Sequence, residues 1–172
     1  MSLLHAARRL ARRFGLEVHR YDPVHSHQAR SMSLMGLHRV DGVFDVGAND
    51  GGYAGELRAA GFAGAILSFE PLAAAHASLA RRAKDDPHWH VMPRCALGAQ
   101  PGEASMHVAG NSVSSSLLPM LDAHRRAAPD SAEVGTEQVD VCRLDDMAWP
   151  AGVDARRWLL KVGKSWCSMR TP

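Results

Sequence analysis

The sequence predicts an α/β fold, a sheet of parallel core strands with helices on both faces, and three observations predict it. An apolar run, Val43-Phe44-Asp45-Val46, passes through a glycine-rich turn, Gly47-Ala48-Asn49-Asp50-Gly51-Gly52, into a helical pattern. A second short apolar run ends in an acid, Ile66-Leu67-Ser68-Phe69-Glu70. From residue 40 to residue 95 strand and helix patterns alternate with short connections, and right-handed crossovers make such strands parallel.

Residues 2–14 read as a helix, with Leu3, Leu10 and Phe14 on one face, Arg8, Arg9, Arg12 and Arg13 opposite, and Gly15 placed to end it. Two readings stand: an accessory helix packed on the domain, and a weak contact with an anionic membrane surface. The arginines interrupt the apolar bursts, so the segment is neither a secretory leader nor a transmembrane segment. Polar residues follow to Ser31, with His25 and His27 one residue apart but no further ligand at metal spacing. A short helix is expected at about 28–38, and residues 1–39 form an N-terminal helical extension.

Strand one is expected from Val40 to Val46, and the helix after the turn has Leu57 facing the sheet and stops at Gly61. Strand two is Ala65 to Phe69. Pro71 opens an alanine-rich helix, Leu72 to Lys84, and strand three runs from Trp89 to Met92, with a continuation to Cys95 open. The regular alternation then lapses. Glu103 to Val108 alternates like an edge strand, Gly110 to Leu118 is a serine-rich loop, Leu118 to Ala128 looks helical, and Pro129 to Gly135 reads as loop. Val139 to Leu144 alternates again, and Trp158 to Val162 reads as a buried fourth parallel strand.

Whole-chain totals narrow the function. Hydrophobic content of 46% with 22% charged residues is that of a globular chain long enough to bury a core. A net charge of +2 with no dense basic patch and 6% aromatics argues against nucleic acid. The cysteines Cys95, Cys142 and Cys167 form no Cys-x-x-Cys pair, so neither a zinc site nor a disulfide framework is expected, no metal site is assigned, and a cytoplasmic location fits.

The turn carries the chemistry. Gly47 can take a conformation that a Cβ resists, and Gly51 and Gly52 let the helix start close to the strand. Asp45 lies near the carboxyl end of its strand, where open α/β sheets bind ligands, and Glu70 follows at close to the ~20-residue offset of a ribose-binding acid. A dinucleotide motif needs Gly-x-Gly-x-x-Gly, but Asn49 and Asp50 stand where the pyrophosphate would approach the backbone. S-adenosylmethionine has no phosphate and carries a sulfonium and an ammonium, which suit nearby acids, and the Glu70 carboxylate can accept both ribose hydroxyls. S-adenosylmethionine is therefore favoured over NAD or ATP. Asp50 has a second reading, as a charge favourable to the helix dipole.

Val43 to Gly51, Ser68-Phe69-Glu70-Pro71, Ala96-Leu97-Gly98, Asn111 to Leu117, Arg143-Leu144-Asp145-Asp146 and Leu160-Lys161-Val162 together resemble, in order, the FkbM-family methyltransferases. The resemblance covers about residues 40–162 and implies a Rossmann-like class I methyltransferase domain with sheet order 3-2-1-4-5-7-6. It implies S-adenosylmethionine as donor and O-methylation of a small-molecule or glycan acceptor, typically a sugar or natural-product hydroxyl. By position, Asp45, Gly47, Asn49 and Gly51 would surround the methionine part of the donor and Glu70 would hold its ribose. Lys161 matches the motif and is read as structural. After Leu-Lys-Val the family usually continues Asp-x-x-Gly-x-Glu; here Gly163-Lys164-Ser165 follows, and residues 163–172 read as an aberrant tail. The expectation is a domain truncated or frameshifted after its fourth strand, without the C-terminal strands, poorly soluble and without turnover.

Two rival classes remain: an NAD-dependent sugar-modifying enzyme and a non-catalytic remnant that binds a cofactor or partner. The first lacks the Tyr-x-x-x-Lys pair that would support it, since Tyr21 and Tyr53 are the chain's only tyrosines. No catalytic residue is assigned, and Asp145-Asp146 reads as a strand-ending turn in preference to an acid–base pair.

Overall fold

The computed structural model describes residues 27–109 and 133–163, together with Leu10, Phe14 and Gly15. The N-terminal helix at 2–14 therefore lies mostly outside the described residues. So do the serine-rich loop, the helix at 118–128 and the tail after Gly163.

Helix α1 (His27–Leu37) leads into β1 (Gly42–Val46), α2 (Gly52–Ala59), β2 (Ala65–Phe69), α3 (Ala73–Ala83) and β3 (Trp89–Val91). The chain continues through β4 (Ala96–Leu97), β5 (Gly102–Ala109) and β6 (Glu133–Cys142), a 3-10 turn at Leu144–Asp146, and β7 (Trp158–Val162). Strands β3, β2, β1 and β7 form one sheet in that order, and every pairing in it is parallel. This is the α/β, Rossmann-like architecture read from the sequence, although the three described helices pack on one face of the sheet and not on both. Strand β1 is central and all five of its residues are buried, which is why it reads as a continuous apolar run with one embedded acid.

The two faces of this sheet are covered differently. Val43 and Ile66 look toward the helices and pack with Met35 of α1, Ala54 and Leu57 of α2, and Leu79 and Ala83 of α3. Phe44, Val46, Leu67 and Phe69 look the other way, onto Met92, Cys95 and Leu97, with Leu144, Met147 and Trp158 at the margin. Phe44 stacks on the Trp158 ring with centroids 4.2 Å apart. Burial of such side chains contributes ~1.5–3 kcal/mol each relative to exposure.

A second sheet, in the order β4-β6-β5, follows the lapse in alternation. Strand β6 runs parallel to β4 and antiparallel to β5. Met106, Val139 and Val141 pack on Leu72 and Ala75 at the start of α3, so the second sheet is cemented to the first. The seam is also polar. Glu137 of β6 accepts the Ala73 N–H at the α3 N-terminus (2.9 Å) and pairs with Arg94 (2.5 Å). An acid there suits the helix dipole.

Several expected boundaries shift. Strand one begins at Gly42 and strand three stops at Val91, short of Met92 and Cys95. Residues 133–135, read as loop, begin β6, because pairing with Val108 and Ala109 overrides weak local propensity. The fourth parallel strand is not buried throughout. Leu159 packs on the helical face, but Leu160 is 52% and Val162 42% exposed, because β7 pairs only with β1 and little among the described residues covers its outer face. Asp145 and Asp146 lie in the exposed 3-10 turn, and Trp89 is a buried anchor as expected.

Candidate functional site

The sheet order places β2 on one side of β1 and β7 on the other, so the winding reverses between β1 and β7. Open α/β sheets bind ligands at such a point, outside the carboxyl ends of the strands. Asp45 of β1 and Lys161 of β7 sit there as register partners.

Asp45 is fully buried. Lys161 Nζ donates to Asp45 Oδ1 at 2.7 Å and to the Gly47 carbonyl at 3.1 Å. Asp45 Oδ2 is buried without a hydrogen-bond partner. Burial pushes the Asp45 pKa up, against the Lys161 charge and hydrogen bond. The Ser68 hydroxyl favours the ionised form without satisfying Oδ2. Ser68 is itself fixed by the Trp89 indole N–H at 2.9 Å. The Lys161 ammonium lies 5.3 Å from the Tyr53 ring centroid, a cation–π distance. Burial, then the charges of Asp45 and Glu56, raise the Tyr53 pKa.

The turn is wound through three left-handed residues, Gly47 (φ 67°), Asn49 (φ 51°) and Gly51 (φ 84°). Asparagine tolerates this region better than most residues with a side chain. The turn's amides are largely committed within the protein. Gly47 and Ala48 N–H both donate to Phe69 O at 3.0 Å, Gly51 N–H to Ala48 O at 2.9 Å, and Gly52 N–H to Asp50 Oδ1 at 3.2 Å. Asn49 N–H donates to Glu70 Oε2 at 2.7 Å.

Glu70, 4% exposed, is the brace between the two strand ends. Its Oε2 holds the Asn49 amide while Oε1 accepts the Leu72 N–H at 3.0 Å. Burial raises its pKa, and the Leu72 and Asn49 amides pull it back. Each oxygen has a second lone pair, so a carboxylate engaged in this way can still accept a hydroxyl.

Of the five residues read as donor-binding, Asp45, Gly47, Asn49 and Glu70 therefore meet in one hydrogen-bonded cluster with Lys161. Gly51 is set apart. A Cβ on it would stand 2.9 Å from Leu79 Cδ1 and from Trp89 Cζ2, so it is needed for the close packing of the turn on the core. Asp50 is exposed, caps α2 through Gly52, and pairs with Arg82 at 3.4 Å. That geometry matches its reading as a helix-start charge. Lys161 and Tyr53 are additions to the site. The available signal was a pair of lone opposite charges inside two apolar strands, since a buried lysine or aspartate needs a partner.

The cluster favours some ligands over others. With the amides of Gly47, Ala48, Asn49, Gly51 and Gly52 already used, the turn offers little backbone to a pyrophosphate. Glu70, with a lone pair left on each oxygen, suits a ribose diol, while Asp45 is already paired with Lys161. Among the described residues no three His, Cys, Asp or Glu side chains converge on a metal position, and no helix is long and apolar enough to cross a membrane.

Comparison with known proteins assigns a family. The family model described as the methyltransferase FkbM domain matches residues 45–162, from the acid of β1 to the end of β7. No curated protein and no solved structure matches the chain.

Proposed function

The chain belongs to the FkbM methyltransferase family, and on that premise we propose that it is an S-adenosylmethionine-dependent O-methyltransferase acting on a sugar or natural-product hydroxyl. The observation that carries this reading is the pair of buried acids, Asp45 and Glu70, at the ends of adjacent strands beside a turn whose amides are committed internally. Glu70 would hold the donor ribose. Asp45, Gly47, Asn49 and Gly51 would form the floor of the methionine end, Gly51 from beneath through its packing.

When bound, the donor supplies an electrophilic methyl group on sulfur. Methylation forms a bond from that carbon to the acceptor oxygen, breaks the carbon–sulfur bond and releases the hydroxyl proton. The chain's part is to fix the adenosyl end rigidly, so that proximity and alignment do most of the work. No described side chain is assigned as general base, and the acceptor is a small molecule or glycan, not nucleic acid. A reducing cytoplasm suits the free thiols of Cys95 and Cys142.

An NAD-dependent enzyme is the rival reading, and the two predict opposite binding. Calorimetry should give saturable binding of S-adenosylhomocysteine and none of NAD. Binding of NAD alone overturns the proposal. Binding of S-adenosylhomocysteine without methyl transfer to any of a panel of sugar and polyol acceptors would point to a non-catalytic remnant.

A further inference from the structure

We propose that Lys161 receives the α-carboxylate at the methionine end of the donor, and that Asp45 is the positioning residue that holds Lys161 in place. The proposal rests on the donor reading above and assigns a specific contact within it.

Anion recognition at a strand–turn–helix unit normally falls to turn amides. Here the amides of Gly47, Ala48, Asn49, Gly51 and Gly52 are engaged by Phe69, Glu70, Ala48 and Asp50. A carboxylate at this end therefore needs a side-chain cation. Arg82 is held on the exposed side of the turn by the Asp50 carboxylate and carbonyl. Among the described residues, Lys161 is the cation on the strand side, at the point where the winding of the sheet reverses.

Its geometry is that of a donor held ready. An ammonium has three N–H groups. Two are taken, by Asp45 Oδ1 and by the Gly47 carbonyl. The Lys161 side chain is 25% exposed whereas Asp45 is wholly buried, which leaves the lysine and not the acid for a ligand to reach. The Tyr53 ring beside Nζ restricts the ammonium further. Asp45 thus acts through Lys161. This division also explains why so costly a buried carboxylate is present, since it keeps the lysine charged and aimed.

The test is calorimetry on the full chain with three ligands. These are S-adenosylhomocysteine, its α-carboxamide, and 5′-methylthioadenosine, which lacks the amino-acid end. The wild type should bind the acid about 10–100-fold more tightly than the carboxamide, the worth of a charge-assisted hydrogen bond. The double variant Asp45→Asn/Lys161→Met, which leaves no unpaired buried charge, should lose that preference and bind 5′-methylthioadenosine within about twofold of wild type. A wild type indifferent to the carboxamide, or a double variant that weakens all three ligands equally, overturns the proposal and leaves the donor reading standing. A wild type that binds none of the three overturns both. If the double variant does not fold, the acid–carboxamide comparison on the wild type decides alone.

Discussion

Lys161 Nζ lies 2.7 Å from Asp45 Oδ1, joining two parallel strands at a residue pair that is in register, with the acid wholly buried and the lysine side chain 25% exposed. Breaking such a pair on one side costs far more than removing both charges. Lys161→Met should lower stability by ~3–5 kcal/mol, and adding Asp45→Asn should restore most of the loss, as read from urea midpoints. The pH dependence has a definite sign. The folded Asp45 pKa is raised above 3.8, so the ionised form costs stability at neutral pH and protonation relieves it. Removing Lys161 takes away the charge and hydrogen bond that hold this pKa down, so the single variant's Asp45 should titrate higher still, and its deficit relative to wild type should shrink as pH falls from there toward the wild-type folded pKa.

Glu70→Gln tests the brace. A carboxamide offers one oxygen, so one of the Asn49 and Leu72 amides would face an NH2 group. The expected loss is ~1–3 kcal/mol of stability, with weaker S-adenosylhomocysteine binding measured separately by calorimetry at a temperature where the variant is folded. Unchanged stability would mean that the turn does not depend on Glu70.

Gly51→Ala combines two penalties, a left-handed φ of 84° and a Cβ 2.9 Å from Leu79 and Trp89 side chains. A loss of ~2–4 kcal/mol is expected. In a double-mutant cycle read by thermal unfolding, Leu79→Ala should relieve its own share of the steric part but neither the Trp89 contact nor the backbone part.

Arg58 staples the end of α2 to its surroundings. Its Nη1 donates to the Phe62 and Gly64 carbonyls at 2.7 and 2.8 Å, and its Nε to Asp86 Oδ2 at 2.6 Å. Arg58→Lys should be nearly as damaging as Arg58→Ala, because an ammonium cannot span this fork. Burial alone would raise the Asp86 pKa, but the Arg58 hydrogen bond, the His88 amide and the neighbouring charges lower it below 3.8 overall. Asp86→Asn should thus cost about 1 kcal/mol at pH 7, and the difference from wild type should vanish as pH falls through the folded pKa.

The exposed apolar pair on β7 predicts self-association. Leu160→Lys should reduce aggregation in light scattering while changing the unfolding midpoint little, since that side chain is 52% exposed. An unaltered aggregation rate would place the sticky surface elsewhere.

The first half of the fold was legible because its signals are local. A continuous apolar run marks a strand buried on both faces, alanine with a preceding proline marks α3, and turn glycines mark the crossovers. The second sheet was largely hidden. Strand β4 has only Ala96 and Leu97, and its parallel pairing with β6 spans more than forty residues of chain. The exposure of Leu160 and Val162 was not legible as a local pattern, since an apolar strand reads the same at a sheet's centre and at its margin, and the sequence pointed to it only through the expected loss of the strands beyond β7. At the site, the types of Asp45, Gly47, Asn49 and Glu70 pointed to a place. Only the register of β1 with β7 showed that Asp45 is already answered by Lys161.

The β5–β6 ladder has a consequence for how this domain can diversify. Its last rung pairs Ala109 with Glu133 just past a bulge, so the intervening residues 110–132 leave and rejoin the scaffold at neighbouring points on one hairpin. Loop closure varies only weakly with length, by ~0.6 kcal/mol per doubling. Such a segment can be exchanged like a cartridge. An evolving or engineered chain could vary it in length and sequence while the Asp45–Lys161 and Glu70–Asn49 contacts stay as they are.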